Sequence, residues 1–172
     1  MLVALTLSVV SCSESDNTID NLLDNVETGA IVRTLEEISD ELNLNDTSSS
    51  YAIRVEEQDE EFGALFGSLD IYVTFDGDVE RPETLLKTYT PADATESDNG
   101  LPELMLSSTY AEFLSALGLD QSVVQNNDRM ELRLELKLTD GRVFSNDDVN
   151  ADVSGAGYFN APMEYTLRVK DL

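Results

Sequence analysis

The amino-acid sequence predicts an all-β protein, an antiparallel β-sandwich with one short helix. Three observations support this fold class. Apolar and polar residues alternate along most of the regular segments, which is the two-residue period of a half-buried strand. Turns rich in Gly, Asp, Asn and Pro separate these segments. One segment, residues 109–118, instead has start and stop signals for a helix.

The predicted strands follow one another within a single domain, residues 29–172. They lie at residues 30–35, 51–55, 69–75, 85–89, 104–107, 129–145 and 163–170. About seven short strands of this kind are typical of an immunoglobulin-like sandwich. The chain has no Trp and one Cys, so it lacks the Cys…Trp…Cys core of antibody domains, and "immunoglobulin-like" describes its architecture only.

The clearest strand pattern lies at residues 129–145. Apolar residues occupy alternate positions from 130 to 138, and Glu, Arg or Lys lies between them. Although leucine favours helices, the period of two over nine residues predicts a strand. Asp140-Gly141 then favours a two-residue hairpin turn, which would pair Thr139 with Arg142.

The predicted helix has a signal at each end. Thr109 and Glu112 form the sequence pattern of a capping box, in which each side chain bonds the backbone N–H of the other. Gly118 suits the left-handed position that closes a helix. In that closure we expect Leu119 to lie against Leu114.

The charge of the chain excludes several classes of function. It has 35 Asp and Glu against 10 Lys and Arg, a net charge of −25, and no His. Imidazole metal sites, Ser-His and Cys-His catalysis and CxxC chemistry are therefore excluded. We expect no nucleic-acid partner, because the field of the protein repels phosphates. Hydrophobic residues make up 41% of the chain, which is enough for a packed core.

The position of the charges predicts where this negative field arises. Acidic residues are concentrated in three predicted loops, residues 56–61, 76–80 and 146–152. Five basic residues fall at outward strand positions, where they can pair with acids across the sheet. These residues are Arg54, Arg133, Lys137, Arg168 and Lys170.

The N-terminus predicts secretion and lipid attachment. Residues 2–10 are uncharged and mostly apolar, too short for a bilayer span of ~20 residues but typical of a signal peptide. Cys12, the only cysteine, follows directly. We therefore predict a signal peptide at residues 1–11, without its usual basic n-region, and an acylated cysteine and acidic tether at 12–28. The alternative is a buried N-terminal strand with an ordinary core cysteine.

Several segments resemble a known group of proteins. Residues 26–35, 55–65 and 138–150, together with Gly100-Leu101-Pro102, resemble flavobacterial (Bacteroidota) surface lipoproteins with an immunoglobulin-like domain. The resemblance covers nearly the whole chain. More distantly, the group is similar to SusE-like accessory lipoproteins of glycan-uptake systems. No catalytic residue is attached to the group, so the resemblance implies none here.

The resemblance also implies a location. The acids after Cys12, within residues 13–17, are similar to the export signals of Bacteroidota lipoproteins that reach the cell surface. A solvated spacer would have the same composition. We expect an outer-membrane, lipid-anchored protein at the cell surface, or otherwise on the periplasmic face. Within the tether, apolar residues at 19, 22, 23 and 26 predict one face of a short helix.

Calcium is the cofactor that the acidic loops could best accommodate, because hard cations take oxygen ligands. Two sets of residues have the 1-3-5 spacing of a calcium loop: Asp148, Asn150 and Asp152, and Asp76, Asp78 and Glu80. Neither set has Gly at the sixth position or Glu at the twelfth. Solvated loops without a metal are the favoured interpretation, and we expect no cofactor.

Exposed aromatic residues are the candidate glycan contacts. The candidates are Tyr72, Tyr89, Tyr110, Tyr158 and Phe159. Tyr158-Phe159, in a Gly-rich loop, is the best solvent-facing pair. The favoured interpretation of this pair is nevertheless a hydrophobic plug that packs on the edge of the sandwich.

These features favour a non-catalytic binding or scaffolding module of the cell envelope, with a glycan or an envelope protein as partner. The alternative is an acidic protein that binds a basic protein partner, of the inhibitor or immunity type. A carboxylate-based glycoside hydrolase is a third hypothesis. It is disfavoured because a catalytic acid needs burial to raise its pKa, and the acids here are predicted in loops or at outward positions.

Cys12→Ala is expected to abolish incorporation of palmitate and to release the protein from the membrane fraction. Metabolic labelling and fractionation of expressing cells test this expectation. Ser15→Ala, in the same tether, is the control and should label like the unchanged protein. Palmitate labelling of the Cys12→Ala variant would contradict the predicted anchor.

Overall fold

Two β-sheets pack face to face around an apolar core, which confirms the all-β sandwich with a short helix. The structure is a computed structural model that describes residues 29–79, 81–155 and 157–172. The predicted signal peptide, Cys12 and the helix predicted in the tether lie outside these residues. Among the described residues, no helix has the length and apolar character needed to cross a membrane.

The regular elements of the described residues include ten strands. They are β1 (Ile31–Ser39), β2 (Glu41–Asn43), β3 (Ser50–Gln58), β4 (Phe66–Asp76), β5 (Arg81–Tyr89), β6 (Thr95–Glu96), β7 (Pro102–Thr109), β8 (Arg129–Leu138), β9 (Val143–Ser145) and β10 (Glu164–Lys170). Helix α1 (Tyr110–Leu117) follows β7, and a single helical turn, α2 (Ala151–Ser154), precedes β10.

The two sheets differ in size and strand order. The smaller sheet has the order β1-β3-β7-β6 and is antiparallel throughout. The larger sheet has the order β2-β10-β8-β4-β5. In it, β9 and β10 pair with successive parts of β8, and β2 runs parallel to β10. The short strands β2 and β6 had no counterpart in the sequence-based prediction.

The core lies between the inner faces of the sheets, with α1 against it. Every second residue of β8, from Met130 to Leu138, is buried, which confirms the alternation predicted for this strand. The opposing sheet contributes Tyr51 and its inward neighbours on β3. Helix α1 adds Phe113, whose ring centroid lies 5.6 Å from that of Tyr51. Burial of this apolar area is the main stabilising contribution to the fold.

Helix α1 begins and ends as its sequence predicts. The Glu112 N–H donates to Thr109 Oγ1 at 3.3 Å, and the Thr109 N–H donates to the Glu112 carboxylate at 2.6 Å. Gly118 closes the helix with φ of 59°. The Leu119 N–H then donates to the carbonyl of Leu114 at 2.9 Å, so the predicted contact takes the form of a backbone bond.

The predicted register of the β8–β9 hairpin is wrong by one residue. The Leu138 N–H donates to the Arg142 carbonyl at 2.9 Å, so the loop contains three residues, 139–141. Gly141 has φ of 94°, the left-handed conformation expected at the end of a three-residue loop. Thr139 is held elsewhere, because its N–H donates to the Leu65 carbonyl at 2.8 Å.

The first acidic run, residues 56–61, is not a loop throughout. Strand β3 continues to Gln58, and both Glu56 and Glu57 are only 1% exposed. The prediction of a rim loop is therefore wrong for its first three residues. Donors from Gln58 and Asn99 make this burial tolerable for Glu56, whereas no donor to the Glu57 side chain is found among the described residues.

Outward-facing basic residues pair with acids as the alternation predicts. Three of the five candidates form ion pairs with residues on other strands of the same sheet, and for Arg133 the partner lies on β5, beyond the intervening β4. The pairs are Arg54 with Glu36 and Glu103, Arg133 with Glu83, and Lys137 with Asp70. Lys170 instead donates a hydrogen bond to Asn127 at 2.7 Å.

Leu134→Ala is expected to lower the free energy of unfolding by about 2–5 kcal/mol, because it leaves a cavity at the centre of β8. Urea denaturation followed by circular dichroism measures the change. Leu172→Ala, at an exposed position, should change it by less than about 0.5 kcal/mol. Equal losses in the two variants would contradict the assigned core.

Candidate functional site

The candidate site lies on the outer face of the smaller sheet. Arg33 on β1, Glu56 on β3 and Glu103 on β7 are neighbours there, because the strand registers pair Arg33 with Glu56 and Glu56 with Glu103. Residues 96–99 cover part of this face. Between them lies a cleft of about 450 Å³, here called the polar cleft, lined by Arg54, Glu56, Glu96, Ser97, Asn99 and Glu103, among others.

Glu56 is held in the polar cleft by several donors. Its carboxylate accepts from Gln58 at 2.8 Å and from Asn99 at 3.3 Å, and Arg33 Nη1 lies 3.8 Å away. Burial alone would raise the pKa of Glu56. Hydrogen bonds from Ser97, Gln58 and Asn99 and the charge of Arg33 outweigh the burial, so the pKa is lowered and Glu56 carries its charge at neutral pH.

Arg33 links the polar cleft to an exposed aromatic pair. Its guanidinium carbon lies 6.0 Å from the ring centroid of Tyr158. Tyr158 is 82% exposed, and the Phe159 ring meets it edge-on with centroids 5.3 Å apart. The structure therefore places Tyr158 in solvent, and Phe159 is also exposed, though less so. The favoured prediction for this pair, a plug packed on the edge of the sandwich, is wrong, and the solvent-facing alternative holds.

The loop with this aromatic pair is fixed to the edge of β1. The Thr34 N–H donates to the Asn160 carbonyl at 2.8 Å, and the Asn160 side-chain amide donates to the Thr34 carbonyl at 3.0 Å. These two bonds set the position of Tyr158 beside Arg33. A ring that is already positioned loses little conformational freedom when it binds a ligand.

The other aromatic candidates do not join the site. Tyr110 and Tyr89 are buried in the core, and the Tyr89 hydroxyl bonds the backbone of Ser107. Tyr72 lies on the outer face of the larger sheet, where the guanidinium carbon of Arg133 is 4.5 Å from its ring centroid. Only Tyr158 and Phe159, of the five candidates, are brought to the face with the polar cleft.

A second cleft, which sequence reasoning missed, adjoins the polar cleft and shares Glu96 with it. It has a volume of about 320 Å³ and is here called the apolar cleft. Its lining includes Phe62, Pro91, Ala94, Leu101 and Pro102. Phe62 lies in an acidic loop without periodicity, so its pattern gave no reason to single it out.

The buried Glu57 carboxyl lies close to Gly63, one of the residues that line the apolar cleft. Within the described residues, neither of its oxygens has a hydrogen-bond partner. A Cβ atom placed on Gly63, which lines the cleft, would be 3.5 Å from Glu57 Oε2. Burial, and to a smaller extent the charge of Asp59, raises the pKa of Glu57 to about 8, so this carboxyl is protonated at pH 7.

The burial of Glu57 bears on the hypothesis that the protein is a carboxylate-based glycoside hydrolase. A carboxyl with a raised pKa is what a glycosidase acid requires, and Glu57 is an exception to the prediction that the acids lie mostly in loops or at outward positions. Its oxygens are enclosed, however, and lie behind Gly63. In this arrangement Glu57 cannot touch a substrate, so the geometry does not favour hydrolysis.

The loop at residues 146–152 uses its side chains as caps. Asp148 accepts from the Ser145 N–H at 2.7 Å. Asn150 accepts from the backbone N–H groups of Asp152 and Val153. These oxygens therefore satisfy the ends of short helical turns, which is an ordinary reason for such residues at these positions.

The loop after β4 has similar local partners. Asp76 pairs with Arg129 at 2.8 Å, and Asp78 accepts from the Gln125 side chain. Glu80, the third residue of that calcium hypothesis, lies outside the described residues. Across residues 29–79, 81–155 and 157–172, no group of three or more His, Cys, Asp or Glu side chains is arranged to hold a metal ion.

Comparisons with known proteins assign no family to the chain. No protein family matches it, and no curated protein matches it. A crystal structure of β-glucosidase from Listeria innocua in complex with glucose shares 12% sequence identity, with a TM-score of 0.38. The match covers 83% of the present chain and 16% of that protein. A likeness at this level says nothing about the activity of the present chain.

Glu57→Gln is expected to stabilise the protein increasingly as pH rises. In the unfolded chain Glu57 loses its proton near pH 4.5, but in the folded protein only near pH 8. Between these values the unfolded state binds fewer protons, so burial of Glu57 costs up to about 1.4 kcal/mol more per pH unit. Urea denaturation at a series of pH values measures the difference between variant and unchanged protein.

The matched control is Glu164→Gln, at an exposed position of β10. Its effect on unfolding free energy should be small and should not grow over the same pH range. A Glu57→Gln variant whose advantage stays constant from pH 5 to about 8 would contradict the buried, protonated carboxyl.

Proposed function

We propose that the protein is a non-catalytic, lipid-anchored binding module of the outer membrane, and that the outer face of its smaller sheet binds a glycan. One observation carries the proposal. The exposed ring of Tyr158 lies beside Arg33, and Arg33 in turn lies beside Glu56 in the polar cleft. An aromatic ring and a row of polar groups thus share one face.

This combination suits the chemistry of a sugar. The C–H faces of a sugar ring pack on aromatic rings, and each hydroxyl group both donates and accepts hydrogen bonds. Tyr158 offers the ring. The polar cleft offers acceptors such as Glu103 and donors such as Asn99 and Arg54. A site that has both donors and acceptors can form more of the hydrogen bonds of a sugar hydroxyl group than a site of carboxylates, which only accept.

The charge of the polar cleft indicates whether its glycan ligand would be acidic, neutral or basic. Glu56, Glu96, Asp98 and Glu103 line it, against a single guanidinium, that of Arg54. This guanidinium is already shared between acids, because Arg54 lies 3.4 Å from Glu103 and also pairs with Glu36. A neutral or amino-substituted glycan is therefore the expected ligand, since an acidic sugar would be repelled.

The anchor completes the proposal. The signal peptide and Cys12 support attachment to the outer membrane, with the domain at the cell surface. Residues 13–28, if extended, would let the domain reach roughly 50 Å from the lipid. A tethered module of this kind would hold a glycan near a transporter or an envelope protein, and we expect no nucleic-acid partner.

Tyr158→Ala is expected to weaken glycan binding about tenfold or more, because the ring supplies the packing surface. Tyr158→Phe, which keeps the ring and removes the hydroxyl, should retain most of the affinity. A glycan array with the unchanged protein identifies the ligand, and titration calorimetry then compares the variants.

Leu85→Ala provides a matched control. Leu85 is an exposed residue of β5, on the larger sheet, and its removal should leave glycan affinity unchanged. Thermal melting verifies that each variant is folded. Equal affinity in the Tyr158→Ala variant, or a complete lack of glycan binding by the unchanged protein, would count against the proposal.

A further inference from the structure

The apolar cleft has the features of a second binding site, separate from the aromatic face. It lies between the loop that joins β3 to β4 (residues 59–65) and the segment before β7 (residues 90–101). Phe62 projects at its rim and is 83% exposed, although it is large and apolar. An exposed phenylalanine beside an apolar cleft is typical of a surface that a partner covers.

The loop that presents Phe62 is held in a fixed conformation. The Asp59 carboxylate accepts from the backbone N–H groups of Glu61 at 2.7 Å and of Gly63 and Leu65 at 2.9 Å. Phe62 itself has φ of 56°, a conformation that non-glycine residues rarely adopt. The ring is therefore presented before a partner arrives, which lowers the entropy cost of binding.

The loop also fits closely against β7. A Cβ atom on Gly63 would lie 2.1 Å from Cδ of Pro102, so only glycine fits there. Gly63 has φ of 84°, which glycine adopts without strain. Where Gly63 meets Pro102, the two segments that line the cleft are therefore in close contact, which fixes their relative position.

The charge around the cleft indicates what it would bind. Residues 59–65 contain three acids and residues 90–101 contain three more, and neither segment contains Lys or Arg. The acids are Asp59, Glu60, Glu61, Asp93, Glu96 and Asp98, of which Glu60 already pairs with Arg142 and Asp59 accepts from the backbone of its own loop. Such a rim attracts a cationic partner and repels a second copy of this chain, whose rim carries the same charges.

The unpartnered Glu57 carboxyl lies beneath this surface. It is 1% exposed, and one of its oxygens faces Gly63 on the cleft floor. Buried polar groups without partners are uncommon in native proteins. The carboxyl is enclosed behind Gly63 and does not itself contact a partner, so the binding features of this surface are the cleft, Phe62 and the acidic rim.

We propose that the apolar cleft docks a segment of a partner protein in which a large apolar side chain is flanked by Lys or Arg. The apolar side chain packs between Phe62 and Leu101. The flanking cations lie against the acidic rim, with Glu96 and Asp98 on one side and Glu61 on the other. This proposal does not depend on glycan binding, because its apolar anchor packs on Phe62 and Leu101, which lie outside the polar cleft, and its ligand belongs to a different class. Glu96 borders both clefts, and Asp98 borders the polar cleft alone.

The test uses a fluorescein-labelled octapeptide of sequence Lys-Lys-Lys-Phe-Leu-Lys-Lys-Lys and the full lipoprotein in detergent. Fluorescence anisotropy measures binding. Replacing Phe-Leu by Ser-Ser should weaken binding about tenfold or more, because the apolar anchor is lost. Replacing all lysines by glutamates should abolish it. Raising the salt from about 50 to about 300 mM should weaken binding without removing the preference for Phe-Leu.

Two variants of the protein locate the site. Phe62→Gly removes the ring and suits the positive φ at this position, so the fold should be retained. It should weaken binding of the Phe-Leu peptide about tenfold and erase the preference over Ser-Ser. Glu96→Gln should weaken both basic peptides. Tyr158→Ala, on the aromatic face, is the control and should bind the peptides like the unchanged protein.

Several results would overturn the proposal. One is equal binding of the Phe-Leu and Ser-Ser peptides, since only unspecific charge attraction would then remain. Another is unchanged affinity in the Phe62→Gly variant while thermal melting shows it folded. Self-association that sedimentation detects in the unchanged protein, and that Phe62→Gly removes, would identify the cleft as a contact between copies and would also overturn it.

Discussion

The alternation of side chains along β3 is the constraint on which both the core and the candidate site depend. Tyr51, Ile53 and Val55 point into the sandwich, whereas Arg54 and Glu56 point to the outer face. A shift of one residue in the pairing of β3 would exchange these two sets. The strand lies between β1 and β7, so its register is fixed on both sides. The same pairing that buries the core also brings Arg33 and Glu103 beside Glu56.

The alternation of inward and outward side chains continues beyond the apolar residues of β3. At the next inward position it buries a carboxyl group, which lowers the stability of the fold. Glu57 occupies the next inward position, yet it has no hydrogen-bond partner among the described residues. A leucine at this position would avoid the cost of burying a carboxyl. Glu56, one residue away, is equally buried but is stabilised by Gln58 on the same strand and by Asn99 and Arg33 on two other segments. Costly groups that persist in a fold are often found at functional sites, and Glu57 lies directly under the apolar cleft.

Local signals made much of the fold predictable. The alternation of β8 and the capping box at Thr109 identified a strand and a helix, because each depends on residues close in sequence. The hairpin after β8 was placed correctly but with the wrong register, since the length of its loop depends on a bond between Thr139 and the distant Leu65. Strands β2 and β6 are too short for any period to show, and their partners define them.

The candidate site was predictable only in part. Tyr158 was found because it lies in a Gly-rich loop, where no strand or helix would bury it. The acidic run at residues 56–61 predicted a loop, because charge was taken as a sign of exposure. For Glu56 this inference from charge to exposure fails, because Asn99 and Arg33, which are distant in sequence, contact its carboxylate in the folded protein. No feature of the sequence pointed to Phe62 as a site residue. Its exposure depends on the loop conformation that hydrogen bonds to the Asp59 carboxylate stabilise.

The measurement that tests this account most directly is a pH titration of the carboxyl carbons of Glu56 and Glu57 by ¹³C NMR. Both residues would be observed in the same sample, so differences in conditions cannot explain a difference between them. The account predicts that Glu57 titrates near pH 8 and that Glu56 titrates below the ordinary value of 4.5. A Glu57 carboxyl that titrates near 4.5 would contradict the inward position of this residue, and with it the arrangement of β3 that builds both clefts.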